Sequence, residues 1–597
     1  MAFRTLQYQI DVLDGVSEHV AALREAKEEA DDYAAFQRSR GKEPTNVPEF
    51  AAAAWKAIRK PERLDEDGDP IPFSPRRDGT GAPVPNATLK VPTGGGKTFL
   101  AVHAVSRIMG GYLQRRTGFV LWIVPNEAIY TQTVRALRTR SHPYRLALDQ
   151  ASGNRTRIME KGDPLHALSV EGELCVMVLM LQSANRQTKE ALRLFRDRGD
   201  VHGFFPADGD MDGHAALIDQ VPNLDRYDDH GGLVKHSLGN ALRVIRPIVV
   251  MDEGQKATSE LATDTLYGFN PSYVLELTAT PKDVKPKTGG PRYANVLREI
   301  TGARLHEAGM IKMPLNIDAR EGVDWKSALR ASLDRLNALQ AAADEHRAAK
   351  GVHIRPIMLV QVERTGDDQR DGENVHAEDA REWLKRAGLD DAEIAVKTAQ
   401  TNELASDENR DLLSPTNRVR AIITKQALQE GWDCPFAYVL CSLAAVQARA
   451  AMTQLVGRIL RQPHAEKTGV DALDEAYVIT HRAETASVVE AVKKGLEGDG
   501  LADLAVRLVG GGDAGGTKGA KPVTLKRREG MEGTIALPMV LVVDDDGVRP
   551  LDYETDILAA IDWRDYDPAP VANEVRTIAC LSVAARTRRS PSSFERP

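Results

Sequence analysis

Short apolar runs recur along the chain, each followed by a polar or glycine-rich turn and then by a stretch with helical spacing. Their apolar residues are consecutive, which is typical of parallel strands that are buried on both faces. The pattern predicts an α/β lobe that is built on a parallel sheet. In the first half of the chain the runs are LKVP (89–92), FVLWIVP (119–125), CVMVLML (175–181), PIVVMDE (247–253) and YVLELTAT (273–280).

A second set of runs follows a Pro/Gly/Lys-rich break at 281–292 and a region rich in Ala, Leu and Arg with helical spacing at 326–350. These runs have the same character as the first set, so the sequence predicts a second parallel-sheet lobe in tandem with the first. They are RPIMLVQV (355–362), EIAVKTA (393–399), VRAIITKQ (419–426), AYVLCSL (437–443) and AYVIT (476–480).

The same patterns divide the chain into four parts. In the last part, 509–522 has the composition of a flexible linker, and 535–554 predicts a β-hairpin that turns at Asp546-Gly547. We expect lobe 1 at 1–290 with an insertion at about 186–246, a helical connector at 291–354, lobe 2 at 355–482, and a smaller C-terminal α+β region at 483–597.

Composition narrows the functional class only slightly. The chain is 42% hydrophobic and 27% charged, which is ordinary for a globular protein, and its net charge of −8 argues against coating nucleic acid indiscriminately. Four scattered cysteines show no metal-ligand spacing, and the N-terminus MAFRTLQYQIDVL shows no secretory signal. These features predict a cytoplasmic enzyme with reduced thiols.

The segment Val91-Pro-Thr-Gly-Gly-Gly-Lys-Thr98 lies between a predicted strand and a predicted helix, which is the setting of a phosphate-binding P-loop. We expect Thr93 and the glycines at 94–96 (Gly94, Gly95 and Gly96) to surround the phosphates of ATP with backbone N–H groups. Lys97 would reach the β- and γ-phosphates, and the Thr98 hydroxyl would bind Mg²⁺. Val91 stands where the strict motif has glycine.

Two further candidates end strands of lobe 1. Asp252 and Glu253 follow the run PIVVM, where Asp252 would hold Mg²⁺ and Glu253 would orient or deprotonate the attacking water. Thr278 and Thr280 close the next strand and are candidates for coupling the γ-phosphate to the other lobe. Each pair alone is weak evidence, and their order after the P-loop makes them informative.

Lobe 2 contains a candidate set of cationic groups. Gln454, Arg458 and Arg461 are spaced by four and three residues, which places them on one face of a helix. A phosphoryl-transfer enzyme uses arginines across an interface to stabilise the charge that develops on the γ-phosphate.

Together these segments resemble superfamily-2 helicases, and within them the motor subunit of type III restriction enzymes. The likeness is carried by VMDEGQKA, TATP, EGWDCPFAYVL and QLVGRILRQP, and it spans roughly Leu6 to Thr480. The resemblance implies two RecA-like lobes, ATP and Mg²⁺ as cofactors, and double-stranded DNA as the substrate of a translocase. It also implies a DNA methyltransferase subunit as a partner.

The resemblance also implies roles for single residues around the nucleotide. Gln9 would read the adenine, Gly431 and Asp433 would couple nucleotide state to nucleic-acid binding, and Arg458 and Arg461 would be the finger residues. Gln255 stands where the family commonly has histidine, and its amide can bridge the lobes by hydrogen bonds without becoming cationic.

A second group of positions matches those that touch the nucleic-acid backbone in the family. It consists of Pro125 and Asn126 after the second strand run, and of Gln182 and Ser183 after the third. Backbone contacts of this kind position a protein on nucleic acid without specifying a sequence.

The nuclease motif that such subunits usually carry, P-D-x(n)-[DE]-x-K, cannot be placed in this chain, so we expect no endonuclease activity from it alone. Three alternatives stay open. They are a helicase or remodeller of an antiviral or repair system, a nuclease-less remnant that acts as a binding protein, and a P-loop ATPase that acts on protein.

Overall fold

The computed structural model describes most of the 597-residue chain. The described residues are 5–65, 68–180, 194, 196–197, 199–227, 232–254, 260–284, 291–320, 324–363, 375–398, 401–425, 428, 434–443, 455–481, 485–511, 541–544 and 547–550.

Strands of the first half form a seven-stranded sheet in which every neighbouring pair is parallel. A separate pair of two-residue strands lies outside this sheet. The strands are β1 Asn86–Lys90, β2 Gly118–Val124, β3 Thr156–Met159, β4 Leu165–His166, β5 Leu174–Met180, β6 Val201–His202, β7 Ile248–Asp252, β8 Tyr273–Thr278 and β9 Val296–Glu299. The order in the sheet is β3-β5-β2-β7-β8-β1-β9, and β4 pairs with β6.

Strands of the second half form another seven-stranded parallel sheet. They are β10 Leu315–Arg320, β11 Ile357–Gln361, β12 Ile394–Lys397, β13 Ala421–Thr424, β14 Ala437–Ser442, β15 Ala476–His481 and β16 Leu508–Gly511. Their order is β12-β13-β11-β14-β15-β10-β16. The predicted α/β fold with two parallel-sheet lobes is therefore confirmed.

Helices connect most of these strands, as parallel neighbours require. They are α1 Gln7–Ser39, α2 Phe50–Ala57, α3 Lys97–Arg107, α4 Glu127–Arg138, α5 Pro143–Ser152, α6 Ala167–Gly172, α7 Met211–Gln220, α8 Leu238–Ile245, α9 Glu260–Tyr267, α10 Gly302–Glu307, α11 Trp325–Lys350, α12 Ala377–Arg386, α13 Asp471–Asp474 and α14 Thr485–Gly498. Residues 455–459 are also helical.

The first sheet is buried on both faces, which explains why its strands are apolar at consecutive positions. Along β2, Val120 and Trp122 belong to the core shared with α1 and α3, whereas Leu121 and Ile123 belong to a second core on the opposite face. All four side chains are almost completely buried. Alternate side chains of a strand point to opposite faces, so two covered faces need an unbroken apolar run.

Two of the predicted boundaries differ from the structure. The interval 291–354 was expected to be a helical connector, but β9 extends the first sheet and β10 belongs to the second, so only α11 fits that description. The expected insertion at about 186–246 includes α8, whose Leu238 and Leu242 are buried in the core of lobe 1. The polar composition of the residues before α8 suggested that the insertion continues through the helix. The apolar packing of α8 shows instead that this helix belongs to lobe 1.

The C-terminal part of the chain forms a separate compact unit. One unit comprises residues 1–514 and the other 515–597. Within the second unit, the predicted hairpin is present as the antiparallel strands β17 Leu541–Asp544 and β18 Gly547–Pro550. The turn at Asp546 lies outside the described residues.

Three of the cysteines, Cys175, Cys434 and Cys441, are buried, and none of these three forms a disulfide bond within the described part of the chain. None of the described helices has the length and apolar character needed to span a membrane.

Candidate nucleotide site

The segment between β1 and α3 forms a tight glycine loop. Gly94 and Gly96 have φ angles of +85° and +81°, in the left-handed region that side chains rarely adopt. A Cβ on Gly95 would lie 2.8 Å from Cγ1 of Val91 and 3.1 Å from the carbonyl oxygen of Pro92, so there is no room for a side chain. Gly96 is the N-cap of α3, and its backbone allows the loop to meet the positive end of the helix dipole. This cradle fits a triphosphate.

The start of α1 is packed against the same loop. The Tyr8 hydroxyl donates a hydrogen bond of 3.2 Å to the carbonyl oxygen of Gly95. The Nε2 atom of Gln9 lies 3.1 Å from the position that a Cβ on Gly96 would occupy. Oε1 of Gln9 accepts a hydrogen bond from the backbone N–H of Leu6, which fixes the amide. Gln9 is thus buried beside the P-loop although it lies 87 positions before Gly96 in the sequence.

The acidic pair at the end of β7 faces the P-loop lysine. Nζ of Lys97 forms an ion pair with Oε1 of Glu253, and both side chains are largely buried. Glu253 has a φ angle of +58°, a strained conformation for this residue. Burial raises the pKa of Asp252 to about 6, while the charge of Lys97 opposes the shift and that of Glu253 adds to it. Lys97, Asp252 and Glu253 therefore interact electrostatically as one cluster.

Thr98 lies in the first turn of α3, next to Lys97. Its hydroxyl and the Asp252 carboxylate are hard oxygen ligands of the kind that Mg²⁺ prefers. Within the part of the chain that the structure describes, no group of three or more His, Cys, Asp or Glu residues could hold a metal ion. A Mg²⁺ site here would therefore depend on Thr98, Asp252 and the phosphates of the substrate.

Thr278 ends β8 and Thr280 follows it, next to the strand that leads into the P-loop. The carbonyl oxygen of Thr278 accepts a hydrogen bond of 2.8 Å from the backbone N–H of Val91. The backbone N–H of Thr280 donates to Oγ1 of Thr278 at 3.1 Å. Between them, the carbonyl oxygen of Ala279 lies 2.6 Å from the position of a Cβ on Gly500. The segment after α14, whose helix packs on the second sheet, thus contacts this strand end.

Arg461 lies two residues after the helical stretch 455–459 and reaches the P-loop from lobe 2. The expectation that Arg461 lies on one helix face with Arg458 is therefore wrong, because the helix ends before it. The Cγ atom of Arg461 lies 3.8 Å, and its Nε atom 4.0 Å, from the position of a Cβ on Gly94. A bridge between Ile311 and Arg461 holds its backbone. The structure therefore brings the glycine loop and this arginine together, as the sequence analysis expects.

Asp499 is a residue of this site that sequence reasoning did not identify. Oδ1 of Asp499 accepts a hydrogen bond of 2.8 Å from the Thr93 hydroxyl, and its carbonyl oxygen accepts one of 3.0 Å from the Thr93 backbone N–H. Burial raises the pKa of the carboxyl group, whereas Thr93 and the charges of Arg458, Lys97 and Arg461 act to lower it. Asp499 belongs to no recognisable motif, so the sequence offered no signal for it.

Several of the predicted site residues lie outside the described residues. They are Gln182, Ser183, Gln255, Gly431, Asp433 and Gln454. Of the expected nucleic-acid contacts, Pro125 and Asn126 are described, and both are half-buried after β2. The Asn126 side chain caps α4 by accepting a hydrogen bond of 3.0 Å from the backbone N–H of Ile129. A role in nucleic-acid binding stays a prediction.

Part of the chain is similar to a known protein family. Residues 50–283 match the family model described as type III restriction enzyme, res subunit. This interval contains the P-loop, the acidic pair and both threonines. None of the curated proteins matches the chain.

Solved structures that resemble the chain are distant. Dbp5 from S. cerevisiae, bound to RNA and ADP BeF3, is 10% identical with a TM-score of 0.32, over 80% of this chain and 91% of that one. A fragment of a putative HsdR subunit of a type I restriction enzyme from Vibrio vulnificus is 13% identical with a TM-score of 0.34, over 69% and 62%. The helicase Lhr from Mycobacterium smegmatis, bound to ssDNA and AMP-PNP, gives 13% and 0.34, over 69% and 46%.

Proposed function

We propose, on the premise that residues 50–283 belong to the res-subunit family of type III restriction enzymes, that this chain is an ATP-driven translocase of double-stranded DNA. The observation that carries the proposal is the approach of Arg461 to Gly94 from the opposite lobe. An ATPase of this kind needs phosphate-binding groups on one lobe and cationic groups on the other, because closure of the cleft then completes the site.

The roles of the residues follow from their positions. Gly94, Gly95 and Gly96 would bind the phosphates of the substrate ATP through backbone N–H groups, and Gln9 would lie beside the base. Mg²⁺, held by Thr98 and Asp252, would neutralise charge on the triphosphate.

Lys97 and Glu253 would change partners during the cycle. When the lysine ammonium binds a phosphate, the ion pair with Glu253 is lost, and the carboxylate becomes available to accept a proton from water. Arg461 and Arg458 would then stabilise the charge that develops on the γ-phosphate. Gln255 and Gln454 complete the set of residues that the proposal assigns to hydrolysis and coupling.

The proposed output of hydrolysis is movement along DNA. Opening and closing of the cleft would be transmitted to the nucleic-acid contacts by Thr278 and Thr280 of lobe 1 and by Gly431 and Asp433 of lobe 2. The phosphate backbone would be bound by Pro125, Asn126, Gln182 and Ser183. Because backbone contacts do not specify a sequence, a methyltransferase subunit would supply sequence recognition. The family match supports the nucleic-acid contacts in lobe 1, since the matched interval 50–283 includes all four of these residues.

The test is ATP hydrolysis with and without duplex DNA, comparing the wild type with Lys97→Ala and Arg461→Ala. We expect DNA to stimulate the wild type and each substitution to reduce kcat by about 100-fold or more, the usual effect of removing a group that stabilises the transition state. Lys494→Ala and Arg386→Ala are matched controls, since both side chains are exposed on helix surfaces.

The outcomes separate the alternatives. Near-normal rates in Lys97→Ala and Arg461→Ala would contradict the assignment of the site. Hydrolysis that is indifferent to DNA and RNA would instead favour an ATPase that acts on protein, and absence of turnover in the wild type would favour a binding protein.

A further inference from the structure

Asp499 lies where a phosphate-binding loop and an arginine-bearing helix meet. It follows the last residue of α14, and its backbone N–H donates a hydrogen bond of 3.0 Å to the carbonyl oxygen of Gly495. Its side chain and its carbonyl oxygen both accept hydrogen bonds from Thr93, the residue that precedes the three glycines. These contacts join residues that are 406 positions apart.

The turn that carries Asp499 is firmly seated on lobe 1. Gly500 has a φ angle of +75°, and a Cβ at this position would lie 2.6 Å from the carbonyl oxygen of Ala279. Three residues after Gly500, the Asp503 carboxylate accepts hydrogen bonds of 3.0 and 2.8 Å from the backbone N–H groups of Gly302 and Ala303 at the start of α10. Leu501 and Leu504 are completely buried. The position of Asp499 is therefore set by its neighbours on both sides.

The Asp499 carboxylate is also packed against the arginine-bearing helix. A Cβ on Gly457 would lie only 1.8 Å from Oδ2 of Asp499, so the carboxylate occupies the space beside the glycine that precedes Arg458. The charges of Arg458, Lys97 and Arg461 all act on Asp499. An anionic group thus lies among the same cations that the proposed function assigns to the triphosphate.

We propose that the Asp499 carboxylate competes with the γ-phosphate of ATP for these groups, and so sets the affinity of the site for nucleoside triphosphate. The inference rests on the proposed function and deepens it. In a largely buried site two anions repel strongly, because the effective dielectric constant is low. Binding of the triphosphate therefore requires the Asp499 carboxylate to leave Thr93 and the arginines, which adds an unfavourable step to binding.

A purely structural role for Asp499 predicts the opposite change in nucleotide affinity when the carboxylate is removed. If Asp499 only held the two lobes together, its loss would weaken nucleotide binding, because the cleft would be less well formed. If it competes with the γ-phosphate, its neutralisation tightens binding of the triphosphate and leaves the diphosphate almost unaffected. The direction of the change in Kd therefore distinguishes the two roles.

The experiment measures equilibrium binding of AMP-PNP and of ADP, each with Mg²⁺, to the full-length wild type and to Asp499→Asn. The amide keeps the size of the side chain and an acceptor for the Thr93 hydroxyl, and it removes the charge. We expect Kd for AMP-PNP to fall by about tenfold, which corresponds to about 1.4 kcal/mol of binding free energy. Kd for ADP should change by less than about twofold. KM for ATP should fall in the same variant.

The matched control is Glu497→Gln, which removes the same charge from an exposed position two residues away. This variant should bind both nucleotides like the wild type. Asp499→Ala is the second variant, and it should also bind AMP-PNP more tightly than the wild type. Thermal unfolding of every variant checks that the fold is retained.

The possible failures are distinguishable. If the wild type binds neither nucleotide, the proposed function fails. If the wild type binds AMP-PNP but both folded Asp499 variants bind it equally or more weakly, the competition is refuted while the proposed function stands. An equal gain in affinity for ADP and AMP-PNP would also refute the competition, because the γ-phosphate would then not be the competing group.

Discussion

At the scale of single residues, the site combines strain with buried charge. Glu253 adopts a left-handed φ angle of +58° in the position where it forms an ion pair with Lys97. Gly94, Gly96 and Gly500 adopt positive φ angles around the same cleft. Such conformations persist where the surrounding structure holds them, and they concentrate at functional sites. The cleft is thus preorganised by backbone geometry as well as by side-chain charge.

His19 gives a residue-scale test of the core under lobe 1. The ring is completely buried in α1, and Nδ1 lies 3.0 Å from the Tyr273 hydroxyl. Burial, with a smaller contribution from the charge of Arg298, lowers the pKa of His19 to about 3. In the unfolded chain the pKa returns to about 6.5, so the unfolded state binds a proton that the folded state does not.

The contribution of neutral His19 to stability is therefore full above pH 6.5 and is lost progressively as the pH falls from there towards the folded-state value. We expect the free energy of unfolding to fall by up to about 1.4 kcal/mol per pH unit in this window from His19 alone. Urea unfolding at pH 7.5 and pH 5 measures the effect, and His19→Gln should show a smaller pH dependence. An identical pH dependence in the two proteins would contradict the assignment.

At the scale of elements, the ten strands that the sequence predicts are all present, because each is apolar along most of its length. Five strands that sequence reasoning missed, β3, β4, β6, β9 and β10, are only partly buried. In β10, the polar residues Asn316 and Asp318 alternate with buried Leu315 and Ile317, and in β9 only the first two residues are buried. Short strands with one covered face lack the continuous apolar run by which the others were recognised.

Lys312 gives a test at this scale, since it joins the segment between the sheets to two elements of lobe 2. Its fully buried ammonium donates hydrogen bonds of 3.0 and 2.6 Å to the carbonyl oxygens of Pro435 and Ala437, and lies 3.7 Å from the centre of the Tyr438 ring. Burial lowers the pKa of Lys312 well below its usual range. The backbone N–H of Lys312 also bonds the carbonyl oxygen of Leu460, next to Arg461.

We expect Lys312→Met to lower the free energy of unfolding by about 2 kcal/mol or more, because it leaves two buried carbonyl groups without their donor. Chemical denaturation measures the loss. Lys494→Met is the control, and its exposed side chain predicts a change within about 0.5 kcal/mol. Equal stability of Lys312→Met and the wild type would show that the buried ammonium is dispensable.

At the scale of the whole molecule, residues 1–514 form one compact unit that contains both parallel sheets. The last strand of this unit is β16, which pairs with β10 from Leu315↔Leu508 to Asp318↔Gly511. The end of the folded unit is thus set by a strand pairing between distant parts of the sequence.

Two shortened chains test this boundary. A chain that ends at Ala514 should unfold within about 2 °C of the full chain in the transition of the two-lobe unit, since no element of that unit is removed. A chain that ends at Arg507 lacks β16 and should unfold at a clearly lower temperature, because the hydrogen bonds that β16 makes with β10 are lost. Calorimetry measures both, and equal shifts in the two would contradict the boundary.

The sequence by itself determined the elements whose signals are local. The P-loop at 93–98, the acidic pair at the end of β7 and the two-sided burial of the main strands all depend on residues that are close together in the chain. Their chemistry and periodicity can therefore be read without knowing the fold. Only the tertiary structure shows the long-range contacts of the site: Gln9 beside Gly96, Arg461 near Gly94, and Asp499 on Thr93. The family resemblance implied roles for Gln9 and Arg461, whereas nothing in the sequence indicated Asp499. Such contacts depend on how the two sheets and the segments between them pack. No local pattern of residues encodes a contact between positions that are far apart in the sequence.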